Sequence, residues 1–252
     1  MLDAANRQTV LLRLFGGMAI RFHCPSATHR GLQRKYADID FMGLSRQSKR
    51  IRNLFSELGY TPREIFNAMQ GATRLIYNDV EQGRRIDVFL DVFEMCHKFD
   101  FRNRLTVDKP TISLADLLAT KLQVVELTNR EYRDILALIH DHDLGDADAP
   151  ETTNGTRIAN LCSDDWGVWK TFSINISRVL ASLENFELPP QDQDLIRKRL
   201  ADLQSRINCV PKSTRWKLRA KIGERRKWYE LPERDEEVVD SRIVGTPPSS
   251  TP

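Results

Sequence analysis

Two carboxylates one residue apart, Asp38 and Asp40, sit inside the otherwise apolar stretch Tyr36-Ala37-Asp38-Ile39-Asp40-Phe41-Met42. Side chains alternate faces along a strand, so both acids point one way while Ile39 and Phe41 point the other. Tyr, Ile, Phe and Met suit a half-buried strand. Two like charges on such a strand call for a neutralising cation, and a divalent ion held by oxygen ligands is the natural candidate. A turn or a solvated sheet edge is the plainer alternative.

Chain length bounds what can surround this strand. With 252 residues, 40% of them hydrophobic and 29% charged, the chain can bury a sizeable core as one large domain or two modest ones. A net charge of +3 identifies no partner. Cys24, Cys96, Cys162 and Cys209 lie far apart with no C-x-x-C pair, which argues against a zinc site or a disulfide framework and fits reduced thiols in the cytoplasm. The best apolar run, Val10 to Phe22, is broken by Arg13, two glycines and Arg21, so neither a signal peptide nor a membrane span is expected.

Before the acidic strand, Val10 to Phe15 reads as a buried strand, Gly16-Gly17 as its end, and Met18 to His23 as the start of a helix. Such a junction can cradle phosphate, because backbone N–H groups are bare there, although a simple tight turn has the same composition. A polar loop, 24–35, carries His29, Arg30, Arg34 and Lys35. Ser45 to Leu58 has helical spacing and is stopped by Gly59. Thr61-Pro62-Arg63-Glu64 reads as the capped start of a helix ending at Met69.

Two strands, Thr73 to Tyr77 and Arg84 to Phe93, are expected around a hairpin connection at 78–83. In the second, Ile86, Val88 and Leu90 share one face, and Arg85, Asp87, Phe89 and Asp91 the other. Asp87 is thus a third acid in a strand. Ser113 caps a helix that carries Lys121 and ends at Thr128-Asn129, and another helix begins at Arg130 and includes Asp134.

Residues 144–160 have the make-up of a linker, and 164–228 are helical in pattern. Between Arg197 and Trp228 stand twelve Lys or Arg against two acids, with Trp216 and Trp228 interleaved and Tyr229 just after, which suits contact with a phosphate backbone or a solvated basic surface. The segment after Leu231 has the composition of a disordered tail. Consecutive residues fan around a helix, so His140-Asp141-His142-Asp143 is not expected to converge on a metal. Nor are Cys96 and His97, neighbours in a strand, expected to pair.

Gly16-Gly17, Asp38/Asp40 and Asp87 occur in the order and context that resemble the nucleotidyltransferases of the DNA polymerase β superfamily. Lys121-Leu122, Arg130 and Arg133-Asp134 look like the AbiEii-type branch. The likeness covers about residues 9–143. The gap from Gly17 to Asp38 is longer than usual, Gly17 stands where many members have serine, and Ala137 replaces a further acid. The resemblance implies an α+β fold, with a nucleotidyltransferase-like mixed β-sheet flanked by helices (1–143), a linker (144–160), a helical, basic C-terminal domain (161–230) and a disordered tail (231–252). It implies two Mg²⁺ ions about 3.5–4 Å apart, shared by Asp38 and Asp40 and completed by Asp87. Gly16, Gly17, Lys121, Arg130 and Asp134 would attend a nucleoside triphosphate. The implied activity is transfer of NMP to an acceptor hydroxyl. RNA, a tRNA end above all, is the expected acceptor, in the manner of a toxin with a cognate antitoxin. A protein or small-molecule hydroxyl, or a non-catalytic binding module on the same scaffold, are the alternatives.

Overall fold

The computed structural model describes residues 1–231. The expected disordered tail, beyond Leu231 itself, lies outside the described residues. Helix α1 (Leu2–Arg7) leads into β1 (Leu12–Phe15), α2 (Gly16–His23) and β2 (Asp38–Gly43). Then come α3 (Ser48–Glu57), β3 (Thr61–Pro62), α4 (Glu64–Gln70), β4 (Arg74–Asp79) and β5 (Arg84–Leu90). These strands form one mixed sheet in the order β1-β2-β5-β4-β3, parallel only between β2 and β5. The architecture is α+β, as expected.

Alternation along β5 sorts the two faces. Ile86, Val88 and Leu90 join Phe41, Leu12 and Leu75 in a core sealed by Ile51, Leu54 and Phe55 of α3. Phe55 stacks on Tyr77 with ring centroids 4.3 Å apart, a pair worth about 0.5–1.5 kcal/mol beyond its buried area. Asp40, Met42, Asp87 and Phe89 face the other side, where the second core lies. That core runs from Phe15 and Met42 through the remaining helices.

After β5, Asp91 adopts φ 63° and turns the chain into a small hairpin, β6 (Val92–Glu94) and β7 (Lys98–Asp100). Its carboxylate accepts from the backbone N–H of Ser45 at 2.9 Å, which holds the bend. Next come α5 (Leu114–Leu122), α6 (Asn129–Asp141), β8 (Asp143–Gly145), β9 (Thr152–Asn154), α7 (Gly155–Asp164), α8 (Trp166–Ser182), α9 (Pro190–Cys209) and α10 (Thr214–Ile222). Ser113, Asn154, Asp165 and Ser213 cap α5, α7, α8 and α10 with their side chains.

Several local expectations need correction. Thr61-Pro62 does not open a helix: both residues pair with Asn78 and Tyr77 as a short edge strand, where proline is tolerated, and α4 begins at Glu64. Thr128 and Asn129 do not end α5, which stops at Leu122. Thr128 instead starts α6 through a reciprocal cap with Glu131. The stretch 144–160 is not bare linker, since it holds β9, most of β8 and the first turns of α7. One continuous core then joins Phe15 and Leu118 to Phe172 and Leu203. The last helix ends at Ile222, where Gly223 takes φ 60°. Among the described residues, no helix is long and apolar enough to cross a membrane.

Candidate active site

Antiparallel pairing of β1 with β2 sets Phe15 opposite Asp40, and parallel pairing of β2 with β5 sets Asp40 beside Asp87. Asp40 and Asp87, two of the three strand acids recognised in the sequence, are therefore neighbours on one sheet face. Gly16 follows directly, with φ 65°, and a Cβ placed on it would stand 2.3 Å from Oδ2 of Asp40. Gly17 is constrained by a different neighbour: its Cβ would meet a guanidinium nitrogen of Arg34 at 2.1 Å and the Tyr36 ring at 3.1 Å. Each glycine thus makes room for a separate functional side chain.

Asp38 is exposed and Asp40 half-buried. Burial pushes the Asp40 carboxyl up to about 6, helped by the neighbouring charges of Asp87 and Asp38 and opposed by Lys121 and Arg74. Asp87 is buried, and both of its oxygens face arginines: Arg74 Nε donates to Oδ1 at 2.8 Å, and Arg85 Nε lies 3.0 Å from Oδ2. Arg74 also lies over the Phe89 ring, 5.0 Å from its centroid.

A cleft of about 340 Å³ opens over this cluster, walled by Phe15, Gly16, Asp40, Arg74, Phe89 and Lys121 among others. Lys121 comes from the last turn of α5. Its Nζ lies 2.8 Å from Oδ2 of Asp134, which is buried on α6. Arg34 grips the same carboxylate with two hydrogen bonds, Nε to Oδ1 at 2.7 Å and a terminal nitrogen to Oδ2 at 2.8 Å. The guanidinium lies flat against Tyr36, 4.0 Å from the ring centroid. Asp134 therefore holds two cations in place, as a two-pronged carboxylate can.

Six of the expected residues are brought together around the cleft: Gly16, Gly17, Asp40, Asp87, Lys121 and Asp134, with Asp38 at the outer end of the same strand face. Arg130 is not among them. It is exposed on the first turn of α6, and Glu131 lines the cleft instead. Arg34, which the sequence placed only in a polar loop, is a member of the site, and so are Arg74 and Arg85. Arg85 had a local signal, since it lies two residues before Asp87 on the same strand face. Arg74 becomes visible only once β4 and β5 are in register, and Arg34 only once α6 is packed.

A divalent cation fits part of this donor set. Among the described residues, no donor hydrogen-bonds to the carboxylate of Asp38 or Asp40, so both remain available to an ion. Asp87 does not fit as it stands, because Arg74 and Arg85 occupy its oxygens. In this conformation no three His, Cys, Asp or Glu side chains among the described residues are gathered to hold a metal. The 140–143 run diverges as expected: His140 pairs with Asp141, His142 approaches Cys24 and Glu151, and Asp143 meets Arg199.

The elements and the cleft define an α+β chain with an acidic strand pair set against a Lys-Arg-Asp cluster. No protein-family model matches the chain, and no curated protein matches it. Among solved structures it is similar to a lincomycin-bound lincosamide antibiotic adenylyltransferase, LnuA, with 19% identity and a TM-score of 0.40. The likeness covers 54% of this chain and 90% of that one.

Proposed function

We propose that the chain is a Mg²⁺-dependent nucleotidyltransferase that moves NMP from a nucleoside triphosphate to an acceptor hydroxyl. One observation carries this reading: Asp38 and Asp40, whose oxygens meet no donor among the described residues, share a strand face next to Gly16, and Asp40 lines one cleft with Lys121, which is fixed together with Arg34 on Asp134. Asp38 and Asp40 would hold the metal, which when bound would neutralise triphosphate charge and polarise the α-phosphate. The acceptor oxygen attacks the α-phosphorus, and the bond to the departing pyrophosphate breaks. Lys121 supplies positive charge in the cleft beside Asp40, preset with Arg34 by Asp134, so no reorganisation is needed as charge develops. Gly16 and Gly17 let the backbone come close to the phosphates. Asp87, which the resemblance places at the metal, can complete the metal site and take the acceptor's proton only with Arg74 and Arg85 turned from its oxygens.

RNA is the acceptor we favour, because the C-terminal helices present a basic surface. A toxin with a cognate antitoxin is the setting the resemblance suggests. Residues 1–143 would carry the chemistry and 161–230 the acceptor contacts. The test supplies α-labelled nucleoside triphosphates, Mg²⁺ and total RNA. Labelled RNA is expected from wild type, and none from a variant with Asp38→Ala and Asp40→Ala. No transfer to RNA, protein or small hydroxyl compounds, or full transfer by that variant, refutes the reading. Label found only on protein or a small product corrects the acceptor.

A further inference from the structure

A second groove, of about 480 Å³, lies between the start of α8, helix α10 and the segment after it. Trp166, Trp216, Trp228 and Tyr229 line it. Their rings meet one another and neighbouring Trp169 edge-on or tilted, from 5.3 to 6.2 Å between centroids; Trp166 is buried, the other three are half-buried, and Arg219, Lys212 and Lys227 lie over Trp166, Trp216 and Tyr229.

The charges around this groove differ from those elsewhere in the basic region. On α9, Arg197, Arg199 and Arg206 are tied to Glu184, Asp143 and Asp146. On α10 and beyond, Arg215, Lys217, Lys221, Arg225, Arg226 and Lys227 are all exposed, and none has an acidic partner among the described residues. Of the nearby acids, Glu224 is held by Lys170 at 2.5 Å, and Asp165 is engaged in capping α8. Asp164 and Glu230 remain. Helix α10 has no buried residue and shows Leu218 and Ile222 to solvent.

We infer that this groove is an exosite for single-stranded RNA, with unpaired bases on the half-exposed rings of Trp216, Trp228 and Tyr229 and backbone phosphates on the α10 cations. Unpaired positive charge beside aromatic faces is the combination that binds single strands without strict sequence preference. A duplex keeps its bases stacked on one another and cannot use the aromatic half. The exosite deepens the nucleotidyltransferase reading, because Cys96 lines the groove while Phe93, Glu94 and Met95 line the catalytic cleft. The groove and the cleft are thus lined from consecutive residues of one turn, and a strand seated in the groove would reach Asp40 by crossing that turn. That delivery step rests on the proposed activity, whereas binding does not.

Binding is measured by fluorescence anisotropy of a labelled single-stranded RNA and of its duplex, across a salt series, on the full chain. The single strand should bind with tryptophan quenching and a steep salt dependence, and the duplex more weakly. A variant with Arg215→Glu, Lys217→Glu and Lys221→Glu should lower affinity at least tenfold and flatten the log–log salt slope by about 2, at roughly 0.7 per phosphate contact. All three positions are exposed, and circular dichroism confirms folding. Trp216→Ala should weaken single-strand binding with less effect on the duplex, and Trp216→Tyr should restore part of it. Asp38→Ala with Asp40→Ala should leave binding unchanged, so RNA binding without nucleotide transfer sinks the catalytic reading alone. Undiminished affinity in the charge-reversed variant overturns the exosite. Binding only to phosphatidylserine-containing vesicles, or equal preference for duplex, does so too.

Discussion

A Cβ added to Gly16 would stand 2.3 Å from Oδ2 of Asp40, closer than real side chains approach, and Gly16 already holds φ 65°. The strand end and the acidic pair are therefore one constraint. Gly16→Ala is expected to cost about 1–2 kcal/mol from the left-handed backbone alone, and to displace the carboxylate as well. Thermal unfolding with Mg²⁺ titration checks both effects: melting should drop, and so should the stabilisation Mg²⁺ confers.

Asp40 gives the chain a pH dependence of stated sign. An unfolded aspartate titrates near about 3.9, whereas burial, and then Asp87, hold the folded one at about 6. Between these values the folded chain keeps a proton that the unfolded chain has released, so stability falls as pH rises from about 4 to about 6 and stays lower above. Asp40→Asn should therefore gain about 2–3 kcal/mol at pH 8 and almost nothing at pH 3.5. Urea titrations at the two pH values measure it. The same variant should lose transfer activity.

His97 acts in the opposite direction. Burial drives its imidazole down to about 4, and its Nε2 lies 2.8 Å from the Thr171 hydroxyl. Below about 6.5 the unfolded chain takes up a proton that the folded chain refuses until about pH 4, so stability is lost as pH falls through that window. Replacing His97 with Gln should remove about 2–3 kcal/mol of the loss between pH 7.5 and 4.5, read from melting curves against wild type.

Asp134 neutralises two cations, so its loss should exceed the loss of either one. Asp134→Ala leaves Lys121 and Arg34 facing each other with no counter-charge, at a cost of about 3–5 kcal/mol. Lys121→Met should cost less, because Arg34 still pairs with Asp134. Denaturant midpoints rank the two variants. A larger effect for Lys121→Met would show that the carboxylate is not the hub.

The acidic strand, the glycine pair, the Ser113 cap and the alternation of β5 were all legible in the sequence, because each is set by residues within a few positions. What was missed depends on distant pairing. Arg34 and Asp134 are 100 residues apart, and nothing local marks Arg34 among the other cations of its loop. Thr61-Pro62 had the composition of a helix start, and only the register with Tyr77 and Asn78 makes it an edge strand. The Thr128 cap is different: Thr-x-x-Glu is a local helix-start signal, and no distant pairing is needed to see it. Arg74 and Arg85 show how an acid that looks like a ligand by sequence can be engaged by neighbours that register supplies.

The bidentate bond from Arg34 to Asp134 also bears on how the molecule comes into being. Contacts of such long sequence separation close late and slowly, after local helices and hairpins have formed. Refolding from urea should therefore restore far-UV signal before nucleotide binding returns. On a ribosome, the cleft cannot be completed until α6 has emerged, so a nascent chain ending before Asp134 carries Lys121 and Arg34 without the carboxylate that fixes them.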